Sequence, residues 1–169
     1  GTARPSLHLH QFIGEQLGIG VNSRVHKNLG IAAWYRAVWS QPDKTRHTFE
    51  HRLFIDISPR IPLNQNLTII DRNRTERRNI DGNVSWRYRN RPQLEWALKV
   101  HEHPITPYVA TEFYIDTRFK EWNRKQFFSG ARVPVNQHVT FDCFYMHNWD
   151  SRARPGYWNV IGVQTRLEF

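Results

Sequence analysis

Polarity in this chain alternates residue by residue over long stretches, and that alternation limits the available folds more than any other feature. Leu29, Ile31, Ala33, Tyr35, Ala37 and Trp39 occupy every second position. Phe49, Leu53, Ile55 and Ile57 oppose Glu50, Arg52 and Asp56. Beyond a turn signal at Asp81-Gly82, Val84, Trp86, Tyr88, Leu94, Trp96, Leu98 and Val100 share one parity, and Ser85, Arg87, Arg89, Arg91, Glu95 and Lys99 share the other. A period of two places successive side chains on opposite faces of a strand. Helix signals are weak throughout, so the pattern predicts an all-β protein built of antiparallel strands with one apolar and one polar face.

The end of the chain repeats the theme. Ile161, Val163, Thr165, Leu167 and Phe169 form one face, against Gly162, Gln164, Arg166 and Glu168. A strand that closes on an aromatic in this way resembles the C-terminal signal strand of bacterial outer-membrane barrels, with Val163, Leu167 and Phe169 as its apolar marks. Such strands meet lipid on one side and a polar lumen on the other.

Composition fits the same picture. A chain of 169 residues predicts one domain, 1–169. Aromatic residues make up 14% of it, yet only 39% is apolar and 23% is charged. No stretch approaches the roughly 20 apolar residues that a transmembrane helix requires. A barrel requires none, because its strands alternate. Cys143 is the single cysteine, so neither an intrachain disulfide framework nor a thiol metal cluster is available. The start of the chain carries no visible secretion signal, so secretion has to be argued from the body of the chain.

Nine strand segments can be counted: 6–25, 29–39, 49–57, 63–76, 83–102, 107–118, 124–134, 137–149 and 156–169. Single-chain bacterial barrels prefer even numbers. The expectation is therefore an up-and-down transmembrane β-barrel of about ten strands, with Gly14 splitting the first segment, or twelve if N-terminal strands are missing. Ser58 to Pro62 reads as a tight connection, and 83–102 as one long strand that tolerates Pro92. Asp71, Asn73 and Thr75 share the parity of Leu67 and Ile69. Their strand is expected to leave the bilayer and continue into solvent.

The charges fall on the polar parity. Arg36, Glu50, Arg52, Asp56, Arg72, Arg74, Glu76, Arg87, Arg89, Arg91, Glu95, Lys99, Glu112, Asp116 and Arg118 all oppose the apolar face of their own strand. In a closed barrel that face is the lumen. Charges crowded there must pair, because unpaired buried charge is prohibitive, and arginine suits carboxylates with its planar fork. The expected interior is a network of Arg36, Glu50, Arg52, Arg72, Arg74, Glu76, Arg87, Arg89, Glu112 and Asp116, with Tyr114 and Trp34 filling between them.

Other chemistries are less well supplied. His8 and His10, and likewise His101 and His103, share a face as pairs, but two imidazoles are an incomplete zinc set. His51 lies on the outward face with no assignable serine and carboxylate beside it. Arg87 to Arg91 interleaves bases with Tyr88, yet on a strand Tyr88 points away from the arginines, which weakens a nucleic-acid platform. A soluble lipocalin-like barrel would reverse the faces, with an apolar lumen. Clustered charge, together with Trp39, Trp86, Trp96, Tyr145 and Tyr157 on the apolar parity, favours membrane girdles instead. No catalytic residue, metal site or cofactor is expected.

Four short motifs occur in a characteristic order: Glu50-His51-Arg52-Leu53, Asp71-Arg72-Asn73-Arg74-Thr75-Glu76-Arg77, Arg87-Tyr88-Arg89 and Glu112-Phe113-Tyr114. Together they resemble the bacterial family catalogued as domain of unknown function 2490, over about Gly18 to Phe169. The resemblance implies a barrel-like fold and an outer-membrane location, and transfers no activity, ligand or catalytic residue. The expected function is that of a bacterial outer-membrane barrel, structural or accessory, with a charge-filled lumen. Its expected partners are the lipid bilayer and other outer-membrane or envelope proteins, and not nucleic acid. A narrow anion-preferring channel, a soluble carrier and a lipid-modifying enzyme are the alternatives.

Overall fold

A computed structural model describes residues 14–41, 47–101 and 103–167. It is all-β and antiparallel. The strands are β1 (Gly14–His26), β2 (Leu29–Ser40), β3 (Thr48–Pro62), β4 (Leu67–Ile80), β5 (Asn83–Trp96), β6 (Leu98–Val100), β7 (His103–Asp116), β8 (Glu121–Pro134), β9 (Val139–Asp150) and β10 (Tyr157–Leu167). Nine of them form one up-and-down wall in the order β1-β2-β3-β4-β5-β7-β8-β9-β10, and the three-residue β6 pairs with β7 beside it. Among the described residues β1 and β10 neither pair nor touch, so the wall is a curled sheet with two free edges.

The local chemistry of the connections explains the up-and-down path. Asp81 and Gly82 both adopt positive φ, at 49° and 87°, as a two-residue hairpin demands. Asp81 Oδ1 also accepts the Phe49 amide at 2.9 Å, tying the turn to β3. His101 and Lys120 take positive φ in the β6–β7 and β7–β8 turns.

Several expectations need correction. β3 does not stop at Ser58 but runs through Pro62, and the connection is 63–66. Its pairing with β4 skips Ser58 and Pro59, where a proline removes a donor. The segment 83–102 is two strands, broken at Ala97. Pro92 is accommodated because β5 keeps its register with β4 there while its pairing with β7 skips Arg91 and Pro92. The tenth strand is thus β6, not a division at Gly14, where β1 begins. Residues 6–13 of the expected first strand lie outside the described residues, as do His8, His10 and Phe169. Asp71, Asn73 and Thr75 do not extend past their neighbours. They lie midway along the wall: Asn73 and Thr75 have Ile57 and Ile55 opposite on β3 and Asn90 and Tyr88 opposite on β5, and Asp71 faces Pro92 on β5.

The two faces of the wall differ sharply. Leu17, Ile19, Leu53, Ile55, Trp86, Tyr145, Ile161 and Val163 are exposed on the convex side. The concave side buries charge: Glu76, Glu112, Asn148 and Asp116 are its most fully enclosed side chains. Buried apolar side chains are few among the described residues: Tyr108, Ala110 and Phe128 form a small cluster with Phe144 and Met146 packed against it, and Ala37, Phe54 and Tyr114 are buried apart from it.

Candidate functional site

The curvature of the sheet brings the polar parities of β2 to β9 together. Contacts that skip a strand show this directly: Arg72 of β4 reaches Glu112 of β7 at 2.5 Å, and Arg78 of β4 reaches Asp116 of β7 at 3.2 Å. Only side chains on the inside of a curl can meet across an intervening strand.

Register alone would make this interior unfavourable. Arg74 stands opposite Arg89, Arg72 opposite Arg91, and Arg36 opposite Arg52. Like charges directly opposite repel. Carboxylates placed diagonally or one strand further on resolve the conflict. Glu76, with no exposed surface, accepts Arg87 Nε at 2.7 Å and Arg89 Nη1 at 3.0 Å, with Arg74 at 3.9 Å. Glu112 accepts Arg72 and both Arg89 Nε and Nη2, at 2.9 to 3.0 Å for the Arg89 fork, and also the Tyr114 hydroxyl. Arg74 grips Asp56 through Nε and Nη2, each at 2.6 Å.

The same logic repeats towards the end where β4 turns into β5. Glu50 receives two forks, from Arg78 at 2.6 and 2.7 Å and from Arg52 at 2.8 and 3.0 Å. Asp116 receives Arg78 and a fork from Arg118 at 2.7 and 2.9 Å. At the opposite end Glu95 takes Arg132, Arg60 and Gln93. Bidentate guanidinium–carboxylate pairs of this kind are the strong, geometrically fixed class of ion pair.

Aromatic rings fill the space between the charges. Tyr114 is nearly enclosed and has Arg89 over its ring at 4.6 Å, with Arg87 and Arg124 each at 5.6 Å. Trp34 stacks on Phe54 at 6.5 Å, and Arg74 sits 3.9 Å above Phe54. Arginine favours such ring faces because it is planar and weakly hydrated.

The structure places Glu50, Arg52, Arg72, Arg74, Glu76, Arg87, Arg89, Glu112 and Asp116 in this one network. Arg36 lies at its edge, bonded to Gln16 at 3.2 Å rather than to a carboxylate. Lys99 departs from the expectation: it is exposed on β6, outside the curl. Ile161 and Val163 are exposed on the convex side, where the C-terminal parity places them. Sequence reasoning missed Arg78, Phe54, Gln126, Asn148 and Asp150. Arg78 shares the parity of Arg74 and Glu76, so the signal was present.

The convex face carries polar interruptions, one where Tyr145, His147 and Asn159 meet on β9 and β10 and another on β4 and β5. The Tyr88 hydroxyl donates to Asn73, and Asn90 Nδ2 donates to Asp71 Oδ1 at 2.6 Å and to Asn73 Oδ1 at 3.1 Å. His51 is exposed on β3 opposite Asn79 of β4, bonded to the Tyr35 hydroxyl at 2.6 Å and edge-on to Phe49. Among the described residues no three His, Cys, Asp or Glu side chains gather as a metal site.

Fold and interior thus define a class: an antiparallel, up-and-down, curled sheet with a charged and aromatic inside. The sequence assigns the chain more closely. It belongs to the family described as Protein of unknown function (DUF2490), whose model matches residues 3–159. No curated protein matches the chain.

Proposed function

We propose that this chain is an outer-membrane β-barrel of a Gram-negative bacterium, a structural or accessory component whose wall closes along the free edges of β1 and β10. In this reading the convex face meets lipid and the arginine–carboxylate network fills the lumen. One observation carries it: burial is inverted relative to a soluble protein. Glu76, Glu112 and Asp116 are enclosed while Leu17, Ile19, Ile161 and Val163 stand exposed. Water-soluble folds place these residue types the other way round, and barrels in lipid place them this way. Exposed Trp39, Trp86, Trp96, Trp149 and Tyr157 on the same face supply amphipathic rings suited to the two interfaces. The bilayer is then the first partner, and other envelope proteins are candidates for the convex polar interruption at Asp71, Asn73, Tyr88 and Asn90.

The test is extraction in detergent, followed by circular dichroism and gel mobility with and without heating. A β-rich species that shifts on heating, and that forms only in detergent, is the expected result. A β-rich monomer stable in plain buffer would overturn the proposal and leave a soluble carrier as the alternative. The concave face is charged, so such a carrier would hold polar rather than apolar cargo.

A narrow anion-preferring channel is the second reading, and a surplus of cations favours it. Arg36 has no carboxylate partner among the described residues. Arg91 lies over Phe128 at 4.1 Å, with its Nε buried and unbonded. Planar-bilayer recording separates the two readings. An Arg89→Ala change shifts anion selectivity in a channel, but loosens the fold without any conductance in a plug.

A further inference from the structure

The end of the wall where β7 turns into β8 and β9 leads towards β10 holds a cavity of about 280 Å³. Four arginines line it: Arg87 from β5, Arg118 from the β7–β8 turn, Arg124 from β8 and Arg152 from the connection after β9. Two carboxylates, Asp116 and Asp150, share the lining. Cations therefore outnumber anions two to one around the cavity.

Each of these arginines is already anchored. Arg87 is held by Glu76, Arg118 by Asp116, Arg124 by Asp150 and Arg152 by Glu121. Every one of the anchoring contacts uses Nε and Nη2. Nη1 of all four has no hydrogen-bond partner among the described residues. The rings beneath fix the guanidinium planes. Arg118 and Arg152 lie over Phe119 at 5.1 and 5.3 Å, and Arg124 over Tyr114 and Trp158 at 5.6 and 5.7 Å. These groups are donors held in place with no acceptor from the protein among the described residues, so an anion that displaces their water finds their ordering complete beforehand.

Asn123 supplies an independent observation. It lines the same cavity, is only 8% exposed, and its Oδ1 is buried without a partner. A buried amide oxygen left unsatisfied is costly and calls for a donor. A ligand that answers both the arginines and Asn123 carries several acceptor oxygens and at least one hydroxyl. A carboxylate alone offers no such hydroxyl; a phosphomonoester of a polyol does. The volume lies just below the usual range for drug-sized ligands, which suits a compact ligand.

We propose that this cavity is a binding site for a phosphomonoester-bearing ligand, its phosphate held by the free Nη1 groups of Arg118, Arg124 and Arg152 and a hydroxyl by Asn123. The phosphate belongs either to a soluble phosphorylated polyol or to a lipid headgroup. The inference rests on the geometry of this end of the wall and stands whether or not the convex face lies in lipid.

The full chain, folded as shown by circular dichroism, is titrated by calorimetry with glycerol 3-phosphate and, separately, with short-chain octanoyl lysophosphatidic acid, whose glycerol keeps one free hydroxyl. Two variants accompany it. Asn123→Asp is isosteric and sets a carboxylate among arginines, which the fold tolerates while the anion does not. Arg152→Gln removes a half-exposed side chain whose partner Glu121 is itself exposed. Saturable binding that weakens roughly tenfold or more in each variant is expected, since a charge-assisted hydrogen bond accounts for a factor of this size. Binding of glycerol 3-phosphate assigns a soluble ligand, and binding of lysophosphatidic acid alone assigns a headgroup. Binding that both variants leave unchanged overturns the site, and so does a folded protein that takes up neither probe.

Discussion

Glu76 shows what the interior demands of a single side chain. It is wholly enclosed and serves Arg87 and Arg89, with Arg74 within 3.9 Å. Removing one partner of a buried pair leaves the other charge uncompensated, at a cost of about 3–5 kcal/mol. Glu76→Ala is therefore expected to lower the unfolding free energy measured in urea by that amount, with the β signal retained below the transition. Glu121→Gln breaks a pair that is 49% and 44% exposed, and should change stability by less than about 1 kcal/mol. The contrast checks that enclosure, and not ion pairing as such, sets the effect. Parity in the sequence placed Glu76, Arg87 and Arg89 on one face, because alternation is a property of each strand alone. It could not say that Arg72 meets Glu112 forty positions away. That contact depends on how tightly the sheet curls, and no local pattern encodes curl.

At the level of the strand, glycine and proline carry the information. Gly130 of β8 lies where a Cβ would sit 2.6 Å from the Cys143 carbonyl and 2.9 Å from both Phe144 Cβ and Tyr108 Cζ. Backbone and ring close it off together, so Gly130→Ala is expected to cost about 1–3 kcal/mol through overpacking, read as a lower melting temperature by circular dichroism. The same substitution at Gly30, whose nearest neighbours stand 3.9 Å away, should leave the melting temperature nearly unchanged. The Asp81-Gly82 hairpin was legible because a turn needing positive φ leaves a chemical mark. The end of β3 was not. Pro59 and Pro62 read as breakers, yet β3 absorbs them by giving up its rungs to β4 at Ser58 and Pro59 and resuming that ladder at Arg60, while its pairing with β2 runs as far as Pro59. A proline announces a missing donor, and whether a neighbour needed that donor is a property of the sheet.

Over the whole molecule, the two free edges are the feature that a list of strands does not reveal. β1 and β10 are long, of 13 and 11 residues, and their outward apolar residues are among the most exposed in the chain. Unpaired edges of this length invite further pairing. If the wall closes in a membrane, amide hydrogen exchange in detergent should protect β1 and β10 as fully as the central pair β4 and β5. Rapid exchange at every second amide of both strands would mean that the sheet stays open. The chain shows the composition of both edges plainly, but not that they fail to meet, since closure depends on strand tilt and stagger summed around the wall. The charged interior has a further consequence for how such a molecule withstands change. Each of the buried glutamates gathers several bases: Glu50 holds Arg52 and Arg78, Glu76 holds Arg87 and Arg89, and Glu112 holds Arg72 and Arg89. Loss of one arginine leaves its glutamate still served, whereas loss of one glutamate strands a cation that has no second acid: Arg52 for Glu50, Arg87 for Glu76 and Arg72 for Glu112. The interior is thus better supplied with spare bases than with spare acids, and a library of random substitutions in this chain would thin out first at the few glutamates.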